Sequence, residues 1–365
     1  MSAQRKVSNA EAPLVERLKQ RIARDGPISV EAYMQACLAD AGAGYYATRQ
    51  PIGKDGDFVT APEVSQIFGE LIGLWAAAVW QAMGMPKPVV IAELGPGRGT
   101  LIQDALRVWH SVPGLLDAVS VALVETSPAL RSMQKAKLNE RPATIQWYEC
   151  LEDVPQGPLV VIANEFLDAL PVRQFLSRDS AWRERFVALG AGGAFVFVDG
   201  DTVDCSLDAP DGAIFETRPG AGALVSVLAA RAAHALIAAL FIDYGHETPG
   251  LGDTLQAVRR HDYADPLASP GEADLTAHVD FAALKRTAEA AGLNAYGPMP
   301  QGAFLLKLGL EARRDRLLQH ASEAQAGAIL TGAARLADPR QMGLLFKALS
   351  VTSAGLAPPP PFGEI

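Results

Sequence analysis

Cysteine is scarce: Cys37, Cys150 and Cys205 stand far apart in 365 residues, with no CxxC pair among them. An odd, scattered count excludes a disulfide framework and a thiolate zinc site, and it points to a reducing compartment, the cytoplasm. Basic charge is short as well, since 32 Lys and Arg against 41 acids leave a net charge of −9. Binding to nucleic acid rests on neutralising phosphates, so a general affinity of that kind is disfavoured. Long uncharged apolar runs are missing. The longest apolar stretch, Ala221–Ile242, carries Arg231 and His234, whereas a membrane span needs about 20 mostly uncharged residues. The opening MSAQRKVSNAEAP has no apolar core of a secretory signal. G-x-S-x-G and the P-loop pattern do not occur, which removes hydrolase-elbow and NTPase readings. His261, Asp262, Asp265 and His278 lack ligand spacing, so no metal is expected.

What remains is a chain that is 49% hydrophobic, enough to fold around a large core. Its length suits an α/β domain of roughly 200–250 residues plus a smaller module. The first 85 residues read as a helical module: Glu11–Arg24, Ser29–Asp40, a Gly-rich loop Gly42–Asp57, and a long helix Ala61–Met83. In that helix Val64, Ile67, Phe68, Leu71, Ile72, Trp75 and Val79 recur at three and four. Thr60 and Glu63 form a capping-box pattern, and Gly69 and Gly73 thin one face, for close packing or for a ligand.

From Val89 strands and helices alternate: Val89–Leu94, helix Thr100–Trp109, Val119–Glu125, helix Pro128–Asn139, Thr144–Tyr148 and Leu159–Ala163. Such alternation means a parallel sheet covered on both faces, a Rossmann-like α/β fold. Between about 172 and 220, Phe175, Trp182, Phe186, Phe195 and Phe197 interleave with polar residues and suggest an inserted antiparallel ribbon. Helix Ala221–His234 and strand Ala235–Asp243 follow, then a long loop to Thr276 of the kind used as a lid. Helix Val279–Ala291 and strands Asn294–Gly297 and Ala303–Leu308 close the sheet. The remainder reads as helical to about Leu349, with a Pro-rich tail expected to be extended and mobile. The partition is therefore 1–85, 86–310 and 311–365.

The sharpest motif is Glu93-Leu94-Gly95-Pro96-Gly97-Arg98-Gly99, an apolar strand running into Gly-x-Gly-x-Gly at a helix start. Dinucleotide sites use G-x-G-x-x-G to face a pyrophosphate. Here the last glycine comes one residue early and an acid precedes the first by two. A carboxylate there repels pyrophosphate and suits a ligand carrying an ammonium and a sulfonium, as S-adenosylmethionine does; the alternative is a tight turn with no ligand. Glu125 ends the next strand, where an acid accepts hydrogen bonds from ribose hydroxyls; NAD would use it equally. Leu151 and Asn164 complete the candidate cofactor set. At the end of the fourth strand, Asn164-Glu165-Phe166-Leu167-Asp168 places two carboxylates three apart, able to grip a guanidinium or simply to form a solvated loop. His246, after Asp243-Tyr244-Gly245, could accept a proton at the same mouth.

GDFVTAPEVSQIFGELIGLW from Gly56, ELGPGRGTL from Glu93, NEFLDALPVRQF from Asn164, GDTLQAVRRH from Gly252 and DPLASPGEADLTAHVDF from Asp265 together resemble the MidA-like methyltransferases. The resemblance covers nearly the whole chain; Pro300-Gln301-Gly302 stands where Thr-Gln-Gly is expected. It implies an S-adenosylmethionine-dependent enzyme. The family's mitochondrial member acts as a protein arginine methyltransferase on a respiratory complex I subunit, so it also implies a protein substrate. Glu165, Asp168 and His246 are then the catalytic candidates, and Glu93, Gly95, Gly97, Gly99, Glu125, Leu151 and Asn164 the cofactor-binding ones. An NAD-dependent oxidoreductase and a cofactor-binding assembly factor with little turnover are the competing readings.

Overall fold

The computed structural model describes residues 13–48, 60–139, 143–259 and 262–363. Among the described residues the central sheet has eight strands, seven of them in one row: β1 Val89–Leu94, β2 Val119–Val124, β3 Thr144–Tyr148, β4 Leu159–Asn164, β5 Ile237–His246, β6 Asn294–Pro300 and β7 Phe346–Thr352, with the short strand Val279–Asp280 beside the end of β5. Their order is β6-β7-β5-β4-β1-β2-β3. β1 pairs in parallel with β2 and β4, β4 with β5 and β2 with β3, whereas β7 runs antiparallel between β5 and β6. Every residue of β1 and β4 is buried, as expected for apolar runs covered on both faces. The chain reverses its order of laying down strands between β1 and β4, and ligands of such sheets bind outside the carboxyl ends at that point.

One face of the sheet is covered by helices Gln66–Ala82, Thr100–Trp109 and Gln301–Lys307, which bring Phe68, Trp75, Leu101 and Phe304 onto Ile91, Val160 and Leu240. Helices Pro219–Ala232 and Phe281–Ala290 cover the other with Leu228 and Phe281. Gly73 faces the backbone of Ala105 so closely that a Cβ would lie 2.6 Å from its Cα. That face is helix packing and leaves no room for a ligand.

The insertion forms strands Arg173–Arg178, Ala181–Leu189, Phe195–Val203 and Ile214–Thr217. Ile28–Ser29 joins them, pairing with Phe186 and Val187. Leu18, Tyr33 and Met34 of the two first helices bury against Val172 and Val187, so the N-terminal helices are packed onto the insertion and do not stand apart.

Several expectations are corrected. The helix 61–83 is two helices, Ala61–Val64 and Gln66–Ala82, separated by Ser65 in an extended conformation. Ser65 caps the second, while Thr60 makes no side-chain cap and Glu63 instead accepts from Thr100 and pairs with Arg98. The run expected as a strand, 303–308, instead belongs to the helix Gln301–Lys307 and its C-cap Leu308, with Gln301, Gly302, Phe304 and Leu305 inward; a short apolar run does not by itself distinguish strand from helix. The region expected to be helical to Leu349 ends in β7. The loop after Tyr244 holds a three-stranded antiparallel sheet, Gln256–Arg259, Asp262–Ala264 and Asp274–Thr276. The Pro-rich tail is packed, with Phe362 against Phe304 at 5.5 Å between ring centroids. Most of the Gly-rich loop 42–57, the first residues of the 11–24 helix, and His261 lie outside the described residues. Among the described residues, no helix is long and apolar enough to cross a membrane.

Candidate active site

A cavity of about 1100 Å³ opens beyond the carboxyl ends of β1, β2 and β4. A pocket for one drug-sized ligand takes roughly 300–1,000 Å³, so there is space for a cofactor and an acceptor side chain. Gly95, Gly97, Glu125, Leu151, Glu165 and Asp168 all line it.

The Gly-rich turn follows directly from β1. Gly95, Gly97 and Gly99 hold φ values of 62°, 52° and 74°, a region where a Cβ is disfavoured. At Gly95 a Cβ would also lie 2.9 Å from the Phe166 ring. The Gly97 carbonyl accepts a 2.7 Å hydrogen bond from Gln134, whose amide also reaches Glu125 Oε2 at 3.3 Å and whose own oxygen accepts from Trp147. One fully buried glutamine thus joins the two turns that flank the cavity. Its signal was in the sequence: Leu130, Gln134 and Leu138 share the buried face of helix Pro128–Leu138, a polar residue on an apolar stripe. Glu125 Oε1 accepts the Ser127 N–H at 2.8 Å, and burial raises the carboxyl's pKa. Each oxygen keeps a lone pair, so the carboxylate can still take ribose hydroxyls.

In the loop after β4, Glu165 Oε1 accepts from the Ala61 N–H at 2.8 Å and from Asn164 Nδ2 at 3.1 Å. Burial, with the neighbouring Asp168 charge, pushes its carboxyl up to about 7. Asp243 shapes the loop beneath: its Oδ2 accepts the N–H groups of Phe166, Leu167 and Asp168 at 3.1, 2.9 and 3.2 Å. Tyr46, whose hydroxyl donates to Asp274 Oδ1 at 3.0 Å, brings a further carboxylate to the cavity wall.

Four candidates lie off that wall. Glu93 is 4% exposed beneath the turn, Oε2 has no partner among the described residues, and burial pushes its carboxyl up to about 8. Gly99 is the N-cap of helix Thr100–Trp109. Asn164 is buried at the end of β4 with Oδ1 unpartnered. His246 faces a separate cavity of about 330 Å³, its Nδ1 2.6 Å from the Thr248 carbonyl; pairing of Gly245–His246 with Val279–Asp280 turns the end of β5 that way.

Residues 71–299 match the family model described as "Putative S-adenosyl-L-methionine-dependent methyltransferase". The chain belongs to this methyltransferase family. It is 36% identical to the mitochondrial protein arginine methyltransferase NDUFAF7 homolog of Drosophila melanogaster, over 97% of this chain and 88% of that protein. Against human NDUFAF7 it is 36% identical over 93% of this chain and 83% of the other. A Burkholderia thailandensis protein crystallised with S-adenosyl-homocysteine superposes with a TM-score of 0.81 at 30% identity, covering 96% of this chain and 94% of that one. The chain is thus an S-adenosylmethionine-dependent methyltransferase, and the NAD reading falls. The cofactor fits the observed wall: a glycine turn without Cβ atoms at the switch point, and an acceptor-only carboxylate on the neighbouring strand end.

Proposed function

We propose that the protein transfers a methyl group from S-adenosylmethionine to an arginine side chain of a protein substrate, a respiratory complex I subunit, in the cytoplasm. The observation that carries the arginine assignment is that the Glu165/Asp168 loop and the glycine turn with Glu125 open onto one cavity. The naming of the relatives as protein arginine methyltransferases supports the same acceptor.

Gly95, Gly97, Glu125 and Leu151 would hold the cofactor, with Gly99, Glu93 and Asn164 shaping the strand ends that carry them. The bound cofactor supplies an electrophilic methyl group on a sulfonium. The rest falls to the protein. Glu165 and Asp168 orient the guanidinium through charge-assisted hydrogen bonds and draw its positive charge away from the attacking nitrogen. Guanidinium is fully protonated at neutral pH, so that nitrogen must release a proton as it gains the methyl. A carboxyl near pKa 7 is suited to take it, which moves the proton-acceptor role from His246 to Glu165.

The test is Glu165→Gln, assayed by labelled methyl transfer into extract from a strain lacking the gene, beside calorimetry with S-adenosyl-homocysteine. Transfer should fall about 10²-fold, the size seen when a transition-state contact is lost, with cofactor affinity within threefold. Full transfer by the variant would remove the arginine assignment.

A further inference from the structure

Two arginines lie outside the roles assigned so far, at opposite ends of one helix. Arg231, in the last turn of helix Pro219–Ala232, is 3% exposed and donates to the carbonyls of Leu151, Val154 and Pro155 at 2.6, 2.6 and 3.1 Å. These carbonyls belong to the loop after β3, whose residues Glu149–Glu152 line the cavity next to Glu125. Arg218, the N-cap residue of the same helix, donates to the Leu170 carbonyl at 3.1 Å and to the Ala277 carbonyl at 2.8 Å. Those carbonyls end the acceptor loop that begins at Glu165 and the strand that carries Asp274. Between the two, Gly220, Ala223, Leu224 and Val227 turn one face of the helix to the cavity. At 1.5 Å per residue the guanidinium-bearing ends stand roughly 20 Å apart along the axis.

We propose that this helix is a two-ended strut in which Arg231 sets the cofactor wall and Arg218 sets the acceptor loop, each acting as a positioning residue for methyl transfer. The physical reason is that buried carbonyls require donors. A guanidinium supplies several in one fixed plane, which an ammonium does not reproduce. Among the described residues Arg231 is the one side-chain donor to the carbonyls of Leu151, Val154 and Pro155, which makes it the group that would hold the shape of that loop. The placement also gives the β insertion a task. The insertion's last strand, Ile214–Thr217, runs straight into Arg218, so the inserted sheet fixes where the strut begins. The Arg218 half rests on the acceptor-loop reading above; the Arg231 half needs only the cofactor site.

The experiment is a double dissociation on the full-length chain, with Arg231→Lys and Arg231→Met beside Arg218→Lys and Arg218→Met. The probes are S-adenosyl-homocysteine binding by calorimetry and the initial rate of labelled methyl transfer into deletion-strain extract at saturating S-adenosylmethionine. The Arg231 variants should weaken S-adenosyl-homocysteine at least tenfold while the saturated rate stays within threefold. The Arg218 variants should leave that affinity within threefold and lower the saturated rate at least tenfold. The Lys forms keep charge and bulk, so they carry the test if the Met forms fail to fold. Equal losses in both quantities for both positions, or no loss in either, would overturn the strut and leave the arginines as packing residues. If Glu165→Gln keeps full transfer, the acceptor-loop reading fails by itself, and the affinity effect at Arg231 still decides the cofactor half.

Discussion

Glu165 sits at φ 50°, a left-handed conformation that costs a non-glycine residue on the order of 1–3 kcal/mol and persists where the surroundings hold it. The Ala61 amide and Asn164 do the holding, and the result is a carboxyl with pKa about 7 on the cavity wall. Below that pH it is protonated and, in the proposed role, would no longer pair with a guanidinium. The kcat/KM for methyl transfer should therefore rise with pH through about 7, and the Glu165→Gln remnant activity should lack that limb. Glu125 gives a second expectation. If it accepts ribose hydroxyls, Glu125→Ala removes charge-assisted bonds worth about 1.5–3 kcal/mol each before water compensates, and calorimetry should show at least a tenfold loss of cofactor affinity. Glu93 concerns stability instead. Burial pushes its carboxyl up to about 8 in the folded protein, well above the ordinary glutamate range, so the folded state binds its proton more tightly. Stability must then fall as pH rises across that window. In Glu93→Gln the drop in Tm between pH 5 and pH 8.5 should shrink by a few degrees; an unchanged slope would place the loss on other groups.

At the scale of elements, what was readable followed from period and chemistry, and what was not followed from tertiary contacts. β1, β2 and β4 stood out as apolar runs ending in Gly, Glu and Asn-Glu. Helix 66–82 showed its stripe, yet the break at Ser65 did not, because it comes from docking of the preceding turn onto Glu165 and Thr100. Residues 303–308 carry Ala-Phe-Leu-Leu, which suits a strand or a buried helix equally, and only packing against Phe362 and the helix 323–337 decides. The cavity's Asp274 and Tyr46 arrive from segments more than 220 residues apart, a closeness no local pattern contains. Glu70 is a similar case. It looks like a polar interruption of the stripe, yet it is fully buried, bonded to Arg313 at 2.7 and 2.8 Å and to Arg107 at 3.1 Å, and it ties the C-terminal helix Leu310–Leu318 to the two helices 66–82 and 100–109 that cover the sheet. Removing one partner of a buried ion pair costs about 3–5 kcal/mol; both arginines reach solvent, which reduces this. Glu70→Ala should lower the urea-unfolding free energy by about 3 kcal/mol without changing cofactor affinity.

For the whole molecule, the reading of 86–310 as the methyltransferase domain meets β7. Residues 346–352 are all buried; Ala238 to Tyr244 of β5 pair with them on one side and five positions of β6 on the other. Ser350 adds a side-chain bond to the Ala239 carbonyl at 3.1 Å. Without β7 the N–H and C=O groups along β5 and β6 lose their partners and the sheet gains an open apolar edge, the situation that drives aggregation. The sequence of β7, Phe-Lys-Ala-Leu-Ser-Val-Thr, follows a helical stretch and mixes a lysine and two hydroxyls into a strand buried on both faces. That is why the sheet appeared to close before it. A chain ending at residue 310 should consequently fail to fold: it should appear in the insoluble fraction, and any refolded material should lack S-adenosyl-homocysteine binding. Supplying residues 311–365 as a separate chain in the same cell should recover part of the soluble protein, because the missing strand can add between two waiting partners. Soluble, cofactor-binding protein from 1–310 alone would show that β7 is dispensable and would support a boundary at 310.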